Sequence, residues 1–204
     1  MQSSHQLIVE PIGLDADALP RPINWENLFG NDHPVEIEIG MGKGTFLTDR
    51  AKANPGLNFL GIEYARWFWR YASDRLRRNG CTSARTVRAE AAYFLREFVP
   101  AGSVSIIHIY FPDPWPKKRH HKRRLIQPPF LAQVERALIG GGRLQIVTDH
   151  EEYFQQIQQV VGQSSLKIGD YPGSTTAGEF AGTNFERKYR REGRPFFALA
   201  AVRG

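Results

Sequence analysis

The stretch Val35-Glu36-Ile37-Glu38-Ile39-Gly40-Met41-Gly42-Lys43-Gly44 decides how the chain is read. Val35 to Ile39 reads as a short strand with glycine punctuation behind it, and Lys43 to Ala53 as a helix ended by Asn54-Pro55-Gly56. Three alternate glycines let the backbone turn tightly and leave room for a ligand against the main chain. A dinucleotide loop needs Gly-x-Gly-x-x-Gly, with glycine or alanine at position 45, where this chain has Thr45. A Walker A loop fails as well, because Gly42-Lys43 is followed by Gly44 and not by Ser or Thr. Glu38 would repel a pyrophosphate and would welcome the cationic amino acid part of S-adenosylmethionine.

Outward from that loop, strand and helix alternate. Asn58 to Ile62 is a second apolar strand, and Ala65 to Arg78 a helix stopped by Asn79-Gly80. Arg85 to Ala89 is a third strand and Ala91 to Phe98 a short helix. Val104 to Tyr110, rich in isoleucine, is a central strand. Gln127 to Ile139 reads as a helix broken by Gly140-Gly141-Gly142, with Pro128 and Pro129 tolerated in its first turn. Arg143 to Val147 is a strand, Glu151 to Val161 a helix, and Leu166 to Tyr171 and Phe196 to Val202 two closing strands around a Gly-, Ser- and Thr-rich loop. This order predicts an α/β fold with a mostly parallel sheet, helices on both faces and ligands at the carboxyl ends of the strands. Residues 1–34, with Pro20, Pro22 and Pro34, read as an N-terminal arm, and 35–204 as a single domain.

The strand-end residues carry the chemistry. Glu63, closing Gly61-Ile62-Glu63, can accept both hydroxyls of a ribose. Glu90 closes the third strand, where an adenine amino group would lie. Val104 to Tyr110 runs into Phe111-Pro112-Asp113-Pro114-Trp115-Pro116, whose prolines fix the backbone around Asp113. A carboxylate held there can accept hydrogen bonds from the amino and imino edge of guanine, with Trp115 available to stack.

Next comes Lys117-Lys118-Arg119-His120-His121-Lys122-Arg123-Arg124, a basic run beside the proposed centre and suited to phosphate contact through Arg119, Lys122, Arg123 and Arg124. Helical Arg66, Arg70, Arg75, Arg77 and Arg78 read equally as an extension of that surface or as exposed structural arginines, whereas Trp67, Phe68, Trp69 and Tyr71 read as packing. The chain as a whole has 27 Lys and Arg against 21 Asp and Glu, a net charge of +6, which favours polyanionic partners. A single cysteine, Cys81, excludes an internal disulfide framework and a multi-cysteine zinc site, and no metal is expected. No secretory signal or transmembrane run is read, so a soluble, cytoplasmic protein is expected. Thr148-Asp149 ends a strand facing the same crevice, and Thr183-Asn184-Phe185-Glu186 offers a hydroxyl, an amide and an acid in one short turn.

These residues together resemble the bacterial tRNA (guanine-N7-)-methyltransferases, which place 7-methylguanosine in the variable loop of tRNA. The resemblance covers nearly everything from Trp25 onward. It rests on Glu38-Ile-Gly-x-Gly-x-Gly, Gly61-Ile62-Glu63, Phe111-Pro-Asp-Pro-Trp with its basic tail to Leu125, Thr148-Asp149 and Thr183-x-Phe-Glu186. It implies a Rossmann-like S-adenosylmethionine-dependent methyltransferase fold. It also implies that Glu38, Gly40, Gly42, Gly44, Glu63, Glu90 and Asp113 hold the cofactor, with Asp113 the active-site residue. Lys117, Asp149, Thr183, Asn184, Phe185 and Glu186 would bind the substrate. Glu90 departs from the family, which more often carries Asp or Asn there. The implied partner is tRNA, with no obligate protein partner and a monomer or homodimer as the working unit.

Two other readings compete. Enzymes that methylate exocyclic amines carry Asn or Asp followed by two prolines and an aromatic at this strand end, and Asp113-Pro114-Trp115 lacks the second proline. An RNA-binding protein that kept the fold and lost catalysis would have no need of the glycine loop, Glu63 and Asp113.

Overall fold

A computed structural model describes residues 6–172 and 180–204. Among them, eight strands form one sheet in the order β1-β4-β3-β2-β5-β6-β8-β7. The strands are β1 (Gly13–Leu14), β2 (Val35–Ile39), β3 (Asn58–Glu63), β4 (Ala84–Arg88), β5 (Val104–Tyr110), β6 (Leu138–Thr148), β7 (Lys167–Gly169) and β8 (Phe197–Val202). β1 to β6 pair in parallel, and β8 runs antiparallel between β6 and β7. The helices are α1 (Trp25–Phe29), α2 (Thr45–Ala53), α3 (Arg66–Arg78), α4 (Ala91–Phe98), α5 (Pro128–Ala137), α6 (Glu151–Gly162) and α7 (Asn184–Arg191).

Register determines which side chains share a face. Ile37 lies beside Leu60 and Ile107, and Ile107 beside Leu144. These four are fully buried under α4, α5 and α6, within one cluster that includes Phe94, Phe98, Phe130, Tyr153 and Ile157. The other face pairs Glu38 with Gly61 and with His108, and His108 with Gln145. α2 and α3 cover part of it through Leu47, Ala51, Ala72 and Leu76, which cluster with Met41 of the glycine loop and Phe59 of β3. Helices therefore lie on both faces of a mostly parallel sheet, as the alternation of elements predicts.

Three local features differ from the sequence reading. The segment expected as an arm supplies edge strand β1, paired with Thr86 and Val87, and it buries Ile12 and Ile23. Helix α5 ends at Ala137, and β6 begins at once, with the three glycines inside it. Val104 pairs with Leu138 and Ile106 with Arg143, so glycines 140–142 bulge out, Gly141 at φ 75°. The segment from Thr183, read as a short turn, begins helix α7. Residues 173–179 of the expected loop lie outside the described residues.

Candidate active site

β2 and β5 are neighbours, so the glycine loop after one and the proline loop after the other open onto the same edge of the sheet. Two cavities of about 300 Å³ and about 450 Å³ lie there and share Gly40, Gly42, Phe68, Tyr110 and Phe185 as walls. Together they form one cleft, within the size range of small-molecule sites.

Glu38 lines the smaller cavity. It is 3% exposed, and its Oε2 has no hydrogen-bond partner. Burial, reinforced by the like charge of Glu63, pushes its carboxyl well above the usual carboxylate range. A buried acid oxygen left without a donor costs free energy until a donor arrives, and a cationic amino group meets that need. Beside it, Gly40, Gly42 and Gly44 all take positive φ, and nothing lies within 4 Å of where a Cβ would project from Gly40 or Gly42. The turn thus requires glycine and leaves its backbone bare toward the cleft. On β3, a Cβ at Gly61 would sit 2.3 Å from the Met41 sulfur, so glycine there lets the loop close down onto the sheet.

Glu63 lines the larger cavity and also anchors the loop. Its Oε2 accepts the Gly42 N–H at 3.0 Å and its Oε1 the Ala65 N–H at 2.9 Å, leaving each oxygen a lone pair for a ribose hydroxyl. Glu90 reaches the cavity wall, but its carboxylate caps α4, accepting from Ala92 and Tyr93 at 2.9 Å and 2.7 Å. Its side chain is folded back onto its own helix.

Asp113 is exposed and lines the same cavity as Glu63, Glu90 and Trp115. The residues two before and two after it, Phe111 at φ 52° and Trp115 at φ 41°, are held in the left-handed region without being glycine. Each such residue costs on the order of 1 to 3 kcal/mol and persists where surroundings over-determine it. Phe111 is clamped by the rings of Tyr189 and Phe196, both at 5.7 Å. From the other side, the Arg124 guanidinium donates to the Pro114 carbonyl at 2.8 Å.

Arg124 therefore departs from the phosphate-contact expectation. Its side chain is 1% exposed, bound to Gln156 at 2.5 Å, and sits over the Tyr153 ring at 4.9 Å. It braces the proline loop from behind. Lys117, Arg119, Lys122 and Arg123 are exposed, and Arg123 covers the Trp115 ring at 5.0 Å. Lys118–Arg123 forms a short 3-10 helix.

Glu186 departs likewise. It is fully buried and accepts from the N–H groups of Phe180, Ala181 and Gly182 and from Arg190. Thr183 caps α7 by accepting the Glu186 N–H at 3.0 Å. Thr183 and Glu186 thus hold α7 in place, and Thr183, Asn184, Phe185 and Lys188 line the smaller cavity. Asp149 is paired with Arg194 at 2.9 Å, and Arg194 lies 4.1 Å over Tyr189.

Sequence reasoning missed a buried polar chain behind the cleft. Arg50 grips Glu36 through two bonds, and Glu36 meets His108 Nε2 at 2.9 Å. His108 Nδ1 meets the Tyr110 hydroxyl at 2.8 Å, and that hydroxyl lies 3.3 Å from Gln145 Oε1. Burial lowers the His108 ring below its ordinary value, leaving it a neutral hydrogen-bonding link. Polar residues two apart on β2 and β5 were the available signal.

The family described as "Putative methyltransferase" matches residues 32–199. The tRNA (guanine-N(7)-)-methyltransferase of Bordetella pertussis is 38% identical over 175 residues, covering 85% of this chain and 69% of that protein. The chain belongs to the tRNA (guanine-N(7)-)-methyltransferase family. The enzyme of that name from a Geobacillus species is 38% identical over 172 residues, 83% of this chain and 78% of its own. A 30S ribosomal A1408 methyltransferase from an uncultured bacterium superposes with a TM-score of 0.65 at 16% identity, covering 89% of this chain and 95% of its own, which shows the shared fold. Within the family's frame, the cleft between the glycine loop and Asp113 suits S-adenosylmethionine, because the orphaned Glu38 oxygen, the bare glycine backbone and Glu63 match its amino group, its chain and its ribose.

Proposed function

We propose that the protein methylates N7 of guanine in the variable loop of tRNA with S-adenosylmethionine as methyl donor. The observation that carries this reading is that Glu38 and Asp113 open onto one cleft from adjacent strands, in a chain of this family. S-adenosylmethionine, when bound, supplies an activated methyl group on a sulfonium. Glu38 binds the amino group, Glu63 orients the ribose, and Glu90 stands beside the adenine.

Guanine N7 carries a lone pair and no proton, so no general base is required, and positioning with exclusion of water supplies most of the acceleration. Asp113 holds the Watson–Crick edge of guanine and offsets the positive charge that grows on the base. The strained loop sets that carboxylate in advance of substrate. To enter the cleft the base must leave its contacts in the tRNA. Lys117, Arg119, Lys122 and Arg123 grip phosphates, Asp149 and the α7 residues Asn184 and Phe185 contribute to the substrate side, and Thr183 and Glu186 position them. The protein works in the cytoplasm as a monomer or homodimer without an obligate protein partner. None of its described helices is long and apolar enough to cross a membrane.

Incubation with unmodified tRNA and labelled cofactor, followed by nucleoside analysis, should place label in 7-methylguanosine, and label in another nucleoside would overturn the reading. Asp113→Ala should keep cofactor affinity within a modest factor and cut methyl transfer by roughly 10²- to 10³-fold. Near-normal turnover in that variant would remove Asp113 from the mechanism.

A further inference from the structure

The four aromatic residues at the start of α3 do not share one fate. Trp69 packs inward beside Leu76 and Phe59, and Phe68 forms a wall of both cavities. Trp67 is 55% exposed and stacked on Tyr71, ring centroids 5.3 Å apart and planes 24° apart. Lys43, from the glycine loop, holds its ammonium 6.0 Å and 5.9 Å from these two rings. Tyr64, 72% exposed, lines the larger cavity. Among the described residues, Trp67 and Tyr64 remain exposed on this surface.

We propose that Trp67 and Tyr71, with Lys43, form a second nucleotide site that stacks an unpaired base of the RNA next to the guanine undergoing reaction. The proposal rests on the RNA-methylating function above. Removing guanine from its stack strips its neighbours of a stacking partner, and a rigid aromatic pair beside the cleft replaces it. An ammonium at the same spot meets the adjoining phosphate.

Charge separates this occupant from a second copy of the chain. Helix α3 carries Arg66, Arg70, Arg75, Arg77 and Arg78, and its single acid, Asp74, is buried and bound to Arg77 and Arg78. Two such faces, on chains of net charge +6, repel each other, whereas a polyanion is drawn in. Base stacking is sequence-tolerant, so the site contributes affinity and orientation and does not choose the base.

The test uses the full chain and unmodified tRNA. Trp67→Ala should weaken tRNA binding about tenfold, with cofactor affinity and the slope of log Kd against log salt both unchanged, because a stacking contact is lost and no phosphate contact. Trp67→Phe should restore most of the affinity. Wild-type binding by Trp67→Ala, parallel loss of cofactor affinity, or failure of the Phe variant to rescue would each overturn the site. So would a dimer in sedimentation that Trp67→Ala dissociates, which would make this face an interface between copies. A wild-type protein that methylates no tRNA would instead overturn the function on which the proposal stands, and that result precedes any comparison of variants.

Discussion

The two faces of the central sheet are both buried, yet they do different work. On the α4–α6 side, Ile37, Leu60, Ile107 and Leu144 belong to one hydrophobic cluster and are sealed from water. On the other side, the same strands present Glu36, Glu38, His108, Tyr110 and Gln145, all 6% exposed or less. One face gains from the hydrophobic effect. The other spends part of that gain to keep one carboxyl oxygen of Glu38 without a partner and a hydrogen-bonded chain behind it. The contrast marks the polar face as the one that carries the site, since the unpartnered Glu38 oxygen lies in the wall of the cleft.

The apolar face should dominate stability. Ile107→Ala should cost about 2 to 5 kcal/mol in denaturant unfolding while leaving the cofactor affinity of the folded protein intact. A loss of affinity as large as the loss of stability would show that the two faces are not separable.

On the polar face, Glu36 tests whether the supporting chain is also structural. Burial raises its carboxyl pKa, but bonds from His108 and Arg50 outweigh that and hold it at about 2, against an ordinary value of 4.5. A lowered folded value gives stability that is present above pH 4.5 and lost as pH falls toward 2. Glu36→Gln should therefore remove up to roughly 3 kcal/mol at neutral pH and flatten the acid limb of the stability profile. Urea melts across that range measure both, and an unchanged acid limb would show that the chain contributes nothing to folding.

Glu38 should behave in the opposite sense. Its pKa is raised in the folded protein, so without ligand its contribution is full at low pH and is lost as pH rises through the elevated value. Glu38→Gln should leave the protein without ligand as stable or more so above pH 4.5, yet weaken S-adenosylmethionine binding roughly 10- to 100-fold through loss of a charged hydrogen bond. Thermal unfolding with calorimetry of cofactor binding distinguishes the two effects. Destabilisation together with unchanged affinity would make Glu38 a framework residue and break the comparison.

The smallest effect belongs to the basic loop, outside both faces. Lys122→Ala with Arg123→Ala should reduce the salt slope of tRNA binding by on the order of 1 to 2 while Tm stays within a few degrees. Arg124→Ala should do the reverse, lowering Tm through the loss of its buried bonds to Pro114 and Gln156. Equal behaviour of the two variants would return Arg124 to the phosphate grip.

Much of this was legible in the residues alone. The order of strands and helices, the turn at Gly40, Gly42 and Gly44, and the placement of Glu38, Glu63 and Asp113 at strand ends follow from local periodicity and turn chemistry, which act over a few neighbours. Helix α7 was not legible, because only Phe185 and Tyr189 mark its apolar side, and its clearest sign was the capping pair Thr183 and Glu186. Direction was not legible either. Arg123 and Arg124 are adjacent and chemically identical, and only packing against Tyr153 and Gln156 turns one inward while the other stays in water. The same holds for Trp67 and Trp69 on one helix. The sequence by itself determined the architecture and the set of reactive groups, since those depend on residue type and short-range spacing. The tertiary structure decided which of those groups face the cleft and which hold it in shape, because burial and partner choice depend on residues distant in the chain.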